Sequence, residues 1–242
     1  MTIPKKIHYC WFGRGQMPEL AVNCINSWKK HLPDYELILW NEDNFDINCN
    51  QYVKEAYESK KYAFVTDYVR LYALYNHGGI YMDTDVEVLK PLDKFLEHRA
   101  FTGCENDEMC VTGTMAAEKG HKWIEDLLKD YEYKKFILPD GSYDKIPNTQ
   151  MITGVTVSNY GWKPINEHQT LKEGLNIYPF EVFCAKDWRT GKIQSNSDTY
   201  TIHHFSGSWI SKTDRFKSKI AKIIGPKATK FLLKVKKKIK GS

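Results

Sequence analysis

The apolar positions follow two rhythms along the first half of the chain. Ile7-His8-Tyr9-Cys10-Trp11-Phe12 is a short apolar run closed by Gly13-Arg14-Gly15, the pattern of a buried strand. From Glu19 to His31 the spacing turns helical. Leu20, Cys24, Ile25 and Trp28 share one face, and Pro18 stands at the start. Leu32-Pro33-Asp34 ends that segment, and Tyr35 to Trp40 predicts a second strand. A helix follows around Tyr52 to Glu58. A stronger one runs from Ala63 to Asn76, where His77-Gly78-Gly79 stops it as a glycine C-cap does. Ile80-Tyr81-Met82 opens a third strand that runs on into Asp83-Thr84-Asp85. Strands alternating with helices predict an α/β fold with a largely parallel sheet.

Beyond Pro91 the periodicity weakens. Gly120 to Tyr131 predicts a helix, and Pro139-Asp140-Gly141-Ser142 a turn. Residues 148–162 are mixed. Thr199 to His203 predicts a late strand leading into His204-Phe205-Ser206-Gly207-Ser208-Trp209. After Gly225-Pro226, Ala228, Phe231, Leu232, Val235 and Ile239 form an apolar stripe among lysines, the pattern of an interfacial helix on anionic lipid. The expected organisation is one domain over 1–211 and a basic amphipathic tail over 212–242.

Charge sharpens that division. The 242 residues carry 35 Lys+Arg against 30 Asp+Glu, a formal net charge of +5. Eleven of the basic residues follow Asp214, the last acid. The body is therefore left with 24 basic against 30 acidic residues, a net of −6. An acidic-leaning body argues against nucleic acid as a partner. The tail points to the inner face of a membrane, and hence to a cytoplasmic, peripheral location. No apolar run approaches the ~20 residues of a membrane-spanning helix. The six cysteines show no metal-type pair spacing and read as free, mostly buried thiols.

Four features carry chemistry. The first is Asp83-Thr84-Asp85, delivered at the C-terminal end of an apolar strand, the edge where open α/β sheets bind ligands. On an extended chain the two carboxylates lie roughly 6–7 Å apart on one face. Such a pair can grip a hard divalent cation, Asp85 directly and Asp83 through water or a ribose hydroxyl. Alone, the spacing is common on surface turns. The second is Asp67 with Arg70, three apart on the helix that feeds this strand. They suit sugar hydroxyls and a phosphate, or else form a plain surface ion pair. The third is Trp11, at the end of the first strand, a ring for stacking on a base or a core aromatic. The fourth is His203-His204 with Ser208-Trp209. One imidazole can complete the metal site, and adjacent residues on an extended chain point opposite ways.

Taken in order, several stretches closely resemble glycosyltransferase family 32, the sugar-nucleotide-dependent enzymes with a "DXD" region. They are residues 3–13, Ser27-Trp28, Pro33 to Glu36, Trp40, Asp67 to Arg70, Gly78 to Asp85 and His203 to Trp209. The resemblance is densest over residues 3–93. It implies a GT-A fold, a Rossmann-like mixed and mainly parallel sheet flanked by helices, using Mn²⁺ or Mg²⁺. By position, Trp11 would stack on the base. Asp67, Arg70 and Tyr81 would lie at the donor sugar, Asp83 at ribose and sugar, and Asp85 on the metal. His203 or His204 would join the metal, and Ser208 and Trp209 would close over the phosphates. Asn148 and Gln150 are loose candidates beside the sugar. Many relatives carry an Asn near Thr112 or Gly113, which this chain lacks.

The implied activity is transfer of a sugar from a UDP- or GDP-sugar to a glycan, lipid-linked in a polysaccharide pathway, with retention. A protein acceptor is an alternative. Asp83-Thr84-Asp85 also resembles the first motif of haloacid-dehalogenase-type phosphatases, though it lies far from the N-terminus for that family.

Overall fold

A computed structural model describes residues 2–111 and 113–207. The expected tail over 212–242, and with it Ser208 and Trp209, lies outside the described residues. The first half is built of β1 (Lys6–Cys10), α1 (Glu19–His31), β2 (Glu36–Trp40), α2 (Gln51–Glu58), α3 (Tyr62–His77) and β3 (Gly79–Met82). These match the expected elements, with shifts of a few residues at their ends. The second half adds β4 (Val86–Val88), β5 (Ala100–Gly103), β6 (Thr114–Ala117), α4 (Lys122–Lys129), α5 (Asn148–Val155) and β7 (Gln169–Thr170). It ends with β8 (Leu175–Tyr178), the single turn α6 (Phe180–Phe183) and β9 (Thr201–His203).

The main sheet has the order β2-β1-β3-β6-β5-β8-β7. β2, β1 and β3 run parallel, β6 runs against them, β5 and β8 run with them, and β7 is antiparallel. The sheet is mixed and mainly parallel. β4 and β9 form a separate antiparallel pair.

Period-two alternation divides the core between the two sheet faces. Ile7, Ile80, Met82, Phe101 and Ala116 pack with Ile25 and Trp28 of α1 and with Phe183 of α6. Cys10, Tyr81, Met115, Ala117 and Ile177 pack on the other face, against α2, α3 and α4. Tyr81 thereby lies on the α3 side of the sheet. Trp28 is fully buried, and its Nε1 donates to Val86 O at 2.7 Å. Ser27 Oγ accepts from Val88 N–H at 2.9 Å. α1 thus anchors β4 directly after the Asp83–Asp85 segment.

Two glycines make the passage from α3 into β3 possible. Gly78 caps α3 with φ 64 and donates to Leu74 O, and Gly79 has φ 118. A Cβ on Gly79 would stand 2.8 Å from Lys6 O, and one on Gly78 2.8 Å from Lys119 N. Only glycine accepts both the left-handed backbone and the close approach. Burial of the cysteines is as expected: all six are free, and all but Cys49 are buried. No helix among the described residues is long and apolar enough to cross a membrane.

Candidate active site

Parallel β1 and β3 end on one sheet edge, which brings Trp11 and Asp83 to the same side of the molecule. The strand expected to run through Asp85 stops at Met82. Asp83-Thr84-Asp85 is a turn, closed by Val86 N–H donating to Asp83 O at 3.0 Å. The turn arises because β4 leaves the main sheet to pair with β9 instead. It brings the carboxylates closer than an extended chain would. One ligand atom each from Asp83, Asp85 and His203 lies within 4.8 Å of the others.

Each carboxylate has one oxygen held by protein and one turned to the shared gap. Asp83 Oδ1 accepts from Arg70 Nη2 at 3.1 Å and from Tyr81 Oη at 3.0 Å. Its Oδ2 lies 3.9 Å from His203 Nε2. Asp85 Oδ2 accepts from Ser206 N–H at 2.7 Å, and its Oδ1 lies 3.3 Å from His203 Nε2. The side chains of Asp83, Asp85 and His203 retain 24%, 13% and 12% of their exposure, so the gap is narrow but open. Two carboxylate oxygens and an imidazole nitrogen are a donor set that suits Mg²⁺ or Mn²⁺.

His204 does not belong to this set. Its backbone N–H donates to Asp85 O at 2.9 Å, while its ring turns to Glu87 Oε2 at 2.8 Å. Strand alternation at the end of β9 sends the two imidazoles opposite ways. Of the two histidines, His203 turns to the carboxylates of Asp83 and Asp85, whereas the His204 ring, expected as an alternative ligand, turns to Glu87 instead.

Asp67 and Arg70 are a buried pair rather than a surface one. Their side chains are 12% and 8% exposed, joined at 3.2 Å. The Arg70 guanidinium also lies over the Tyr81 ring, 4.6 Å from its centroid. Burial lifts the Asp67 carboxyl to about 6, with Arg70 opposing. Burial works against charge on Arg70, but Asp83, Tyr81 and Asp67 outweigh it and hold it firmly cationic. Burial likewise opposes charge on Asp85 and on His203. Their mutual attraction prevails, holding Asp85 well below the usual carboxylate range and His203 well above the usual imidazole one. Arg70 and the carboxylates around it are thus a preorganised set of fixed charges, and a cation held by Asp85 would take the place of the His203 proton.

Trp11 is half-buried at the sheet edge, with Nε1 donating to Gly15 O at 2.6 Å. Asn148 and Gln150 occupy the first turn of α5. Neither hydrogen-bonds to the Asp83–Asp85–His203 set among the described residues, and Asn148 Nδ2 is buried without a partner there. Two contributors escaped sequence reasoning. Ser206 anchors Asp85 through its backbone, a role no side-chain pattern encodes. Gly113 packs so tightly that a Cβ on it would stand 3.0 Å from Asp83 Oδ2, and its carbonyl accepts from Asp83 N–H at 2.8 Å.

Residues 18–102 match the family described as "Glycosyltransferase sugar-binding region containing DXD motif". That span holds Asp67, Arg70, Asp83 and Asp85. Over 133 residues the chain is 30% identical to inositol phosphoceramide mannosyltransferase 3 of Schizosaccharomyces pombe, covering 53% of this chain and 37% of that protein. It is 31% identical over 106 residues to inositol phosphoceramide mannosyltransferase 1 of the same yeast, covering 41% and 33%. The chain thus spans little more than a third of these relatives. Among solved structures, "PaToxG Glycosyltransferase" aligns at a TM-score of 0.46 and 18% identity, over 64% of this chain and 69% of that one.

Proposed function

We propose, from the match of residues 18–102 to the family described as a glycosyltransferase sugar-binding region with a DXD motif, that the chain transfers a hexose from a nucleotide sugar with a divalent cation. The observation that carries this reading is the convergence of Asp83, Asp85 and His203 within 4.8 Å, beside the buried Arg70. A cation bound there supplies Lewis-acid neutralisation of a diphosphate. Asp85 and His203 would hold it, and Asp83 would serve as a further ligand or reach a ribose hydroxyl.

The remaining work belongs to the chain's own groups. Arg70 orients Asp83 and adds positive charge where a nucleoside diphosphate leaves. Asp67, buried against Arg70, is placed to accept hydrogen bonds from donor-sugar hydroxyls. Tyr81 fixes Asp83 through its hydroxyl. Trp11, on the same edge, is the stacking platform for a base. Retention follows the family resemblance. The acceptor is a glycan or lipid-linked glycan, and the relatives' names make mannose the first sugar to try.

Calorimetry with GDP- and UDP-sugars, with and without Mn²⁺, tests this reading. Manganese-dependent binding of one donor, lost in Asp85→Asn, is expected. Donor binding unaffected by metal and by that substitution would overturn it. A transferred sugar found on protein rather than glycan would shift the acceptor alone.

A further inference from the structure

A recess lies near the metal set. Its walls include Glu105 and Asp107 from the loop after β5, Cys184 after α6, and Lys186, Trp188 and Arg189. Several links tie it to the site already described. Cys184 interacts electrostatically with the His203 ring. Burial raises the Glu105 carboxyl, which is also within electrostatic reach of His203, Asp83 and Arg189. Lys186 Nζ donates to His204 O at 3.0 Å. The recess therefore lies next to the metal gap.

Its outer wall is built rather than loose. Lys186 and Ile193 form a β-bridge, and Asp187 N–H donates to Lys192 O at 2.9 Å. Asp187 Oδ1 accepts from the N–H groups of Arg189 and Thr190, at 2.7 and 2.8 Å. Gly191 takes φ 74 to close the turn. Asp187 is thus consumed in holding the turn, whose tip presents Trp188 and Arg189. Trp188 is 44% exposed, with the Arg189 guanidinium 5.3 Å from its ring centroid, so aromatic area stays open at the recess.

The chemistry of this wall is selective. Glu105, Asp107 and Asp187 stand with Lys186 and Arg189 around the recess, three acids to two bases, a mixed lining that does not select an anion. Fixed charged hydrogen-bonding groups around an exposed ring suit a neutral polyhydroxyl ring. The ring offers apolar area to a C–H face, and the carboxylates and guanidinium take hydroxyls.

We propose that this recess is the acceptor subsite, binding a neutral pyranose stacked on Trp188 with hydroxyls held by Glu105, Asp107 and Arg189. The inference rests on the glycosyltransferase reading. It adds the location of the acceptor and its class, an uncharged sugar end rather than a phosphorylated one. Its place next to the metal gap would bring the bound hydroxyl toward the donor.

The test uses the full chain and saturation-transfer NMR with methyl α-glycosides of mannose, glucose and galactose as probes. At least one should receive saturation. Trp188→Ala should reduce it about tenfold or more, Glu105→Ala should weaken it, and Trp188→Phe, which keeps a flat ring, should retain most of it. No saturation of any probe, or a Trp188→Ala loss below about twofold, would overturn the proposal. Donor binding by the unsubstituted chain, measured separately by calorimetry, decides the glycosyltransferase reading, so the two failures are distinguishable.

Discussion

Arg70 Nη2 lies 3.1 Å from Asp83 Oδ1 and joins the middle of α3 to the turn after β3. The same nitrogen lies 3.2 Å from Asp67 Oδ1. One buried cation therefore holds two carboxylates from different elements. Removing one partner of a buried pair strands the other's charge and costs about 3–5 kcal/mol. Arg70→Ala should lower the urea midpoint accordingly and abolish donor binding. Arg70→Lys keeps the charge but loses the planar fork, so stability should recover more than activity does. A variant as stable as the parent chain would refute this role.

His203 and His204 are neighbours with unlike duties. His203 Nε2 faces Asp85 at 3.3 Å, whereas His204 Nε2 is taken by Glu87 at 2.8 Å. Even the outer partners of a metal ligand contribute roughly 10–100-fold to affinity. His203→Ala should therefore weaken Mn²⁺ binding at least about tenfold by calorimetry. His204→Ala should change it less than about threefold, because its ring is committed elsewhere. The reverse order of effects would exclude His203 from the metal set.

His8 makes folding pH-dependent away from the site. It is fully buried, with Nε2 2.8 Å from Gly78 O and Nδ1 accepting from Trp40 Nε1 at 3.1 Å. Only the neutral ring makes both: protonation keeps the Nε2–H donor to Gly78 but sets a second N–H against the Trp40 donor. Burial lowers its pKa to about 4. Between about pH 6.5 and 4 the unfolded chain takes up a proton that the folded chain refuses, so stability falls as pH falls through that window. A depression of this size corresponds to on the order of 3 kcal/mol. His8→Gln, compared with the parent chain by urea denaturation at pH 7 and pH 4.5, should show a shallower loss. An equal loss in both would remove His8 as the cause.

The elements up to Asp85 were legible in the sequence because each strand is an uninterrupted apolar run and each helix has one apolar face. Asp83 and Asp85 stood out for the same reason, at the end of such a run. Their conformation did not, because whether a chain continues or turns depends on its partner, and Val86 pairs with His203 far away in sequence. That same pairing decides which histidine faces inward. β5, β6 and β8 are four residues each, buried on both faces or nearly so, and too short for a period to show. The wall from Cys184 to Gln194 has no periodicity at all, since turns and backbone hydrogen bonds set its shape. Asp67 and Arg70 read as a surface pair because three-residue spacing is common. Burial under the sheet edge is a tertiary property.

Gly113 tests how tightly the Asp83 carboxylate is held from behind. A Cβ there would meet Val86 Cγ2 at 2.9 Å, Asp83 Oδ2 at 3.0 Å and Asp83 Cβ at 3.3 Å. Two of the three atoms belong to the residue whose free oxygen faces His203. The neighbours have little room to yield, because Asp83 is fixed by Arg70 and Tyr81, and Val86 by its pairing with His203. Overpacking of this kind costs about 1–3 kcal/mol. Gly113→Ala should therefore lower the melting temperature modestly. It should reduce metal-dependent donor binding more steeply, because a shift of Oδ2 opens the three-atom set while leaving the sheet intact. A larger Asn at 113, the residue type common near this position in the family that the sequence resembles, should be worse still unless Asp83 moves. Full retention of metal-dependent binding in Gly113→Ala would show that Asp83 Oδ2 need not stay where it is for the cation to bind.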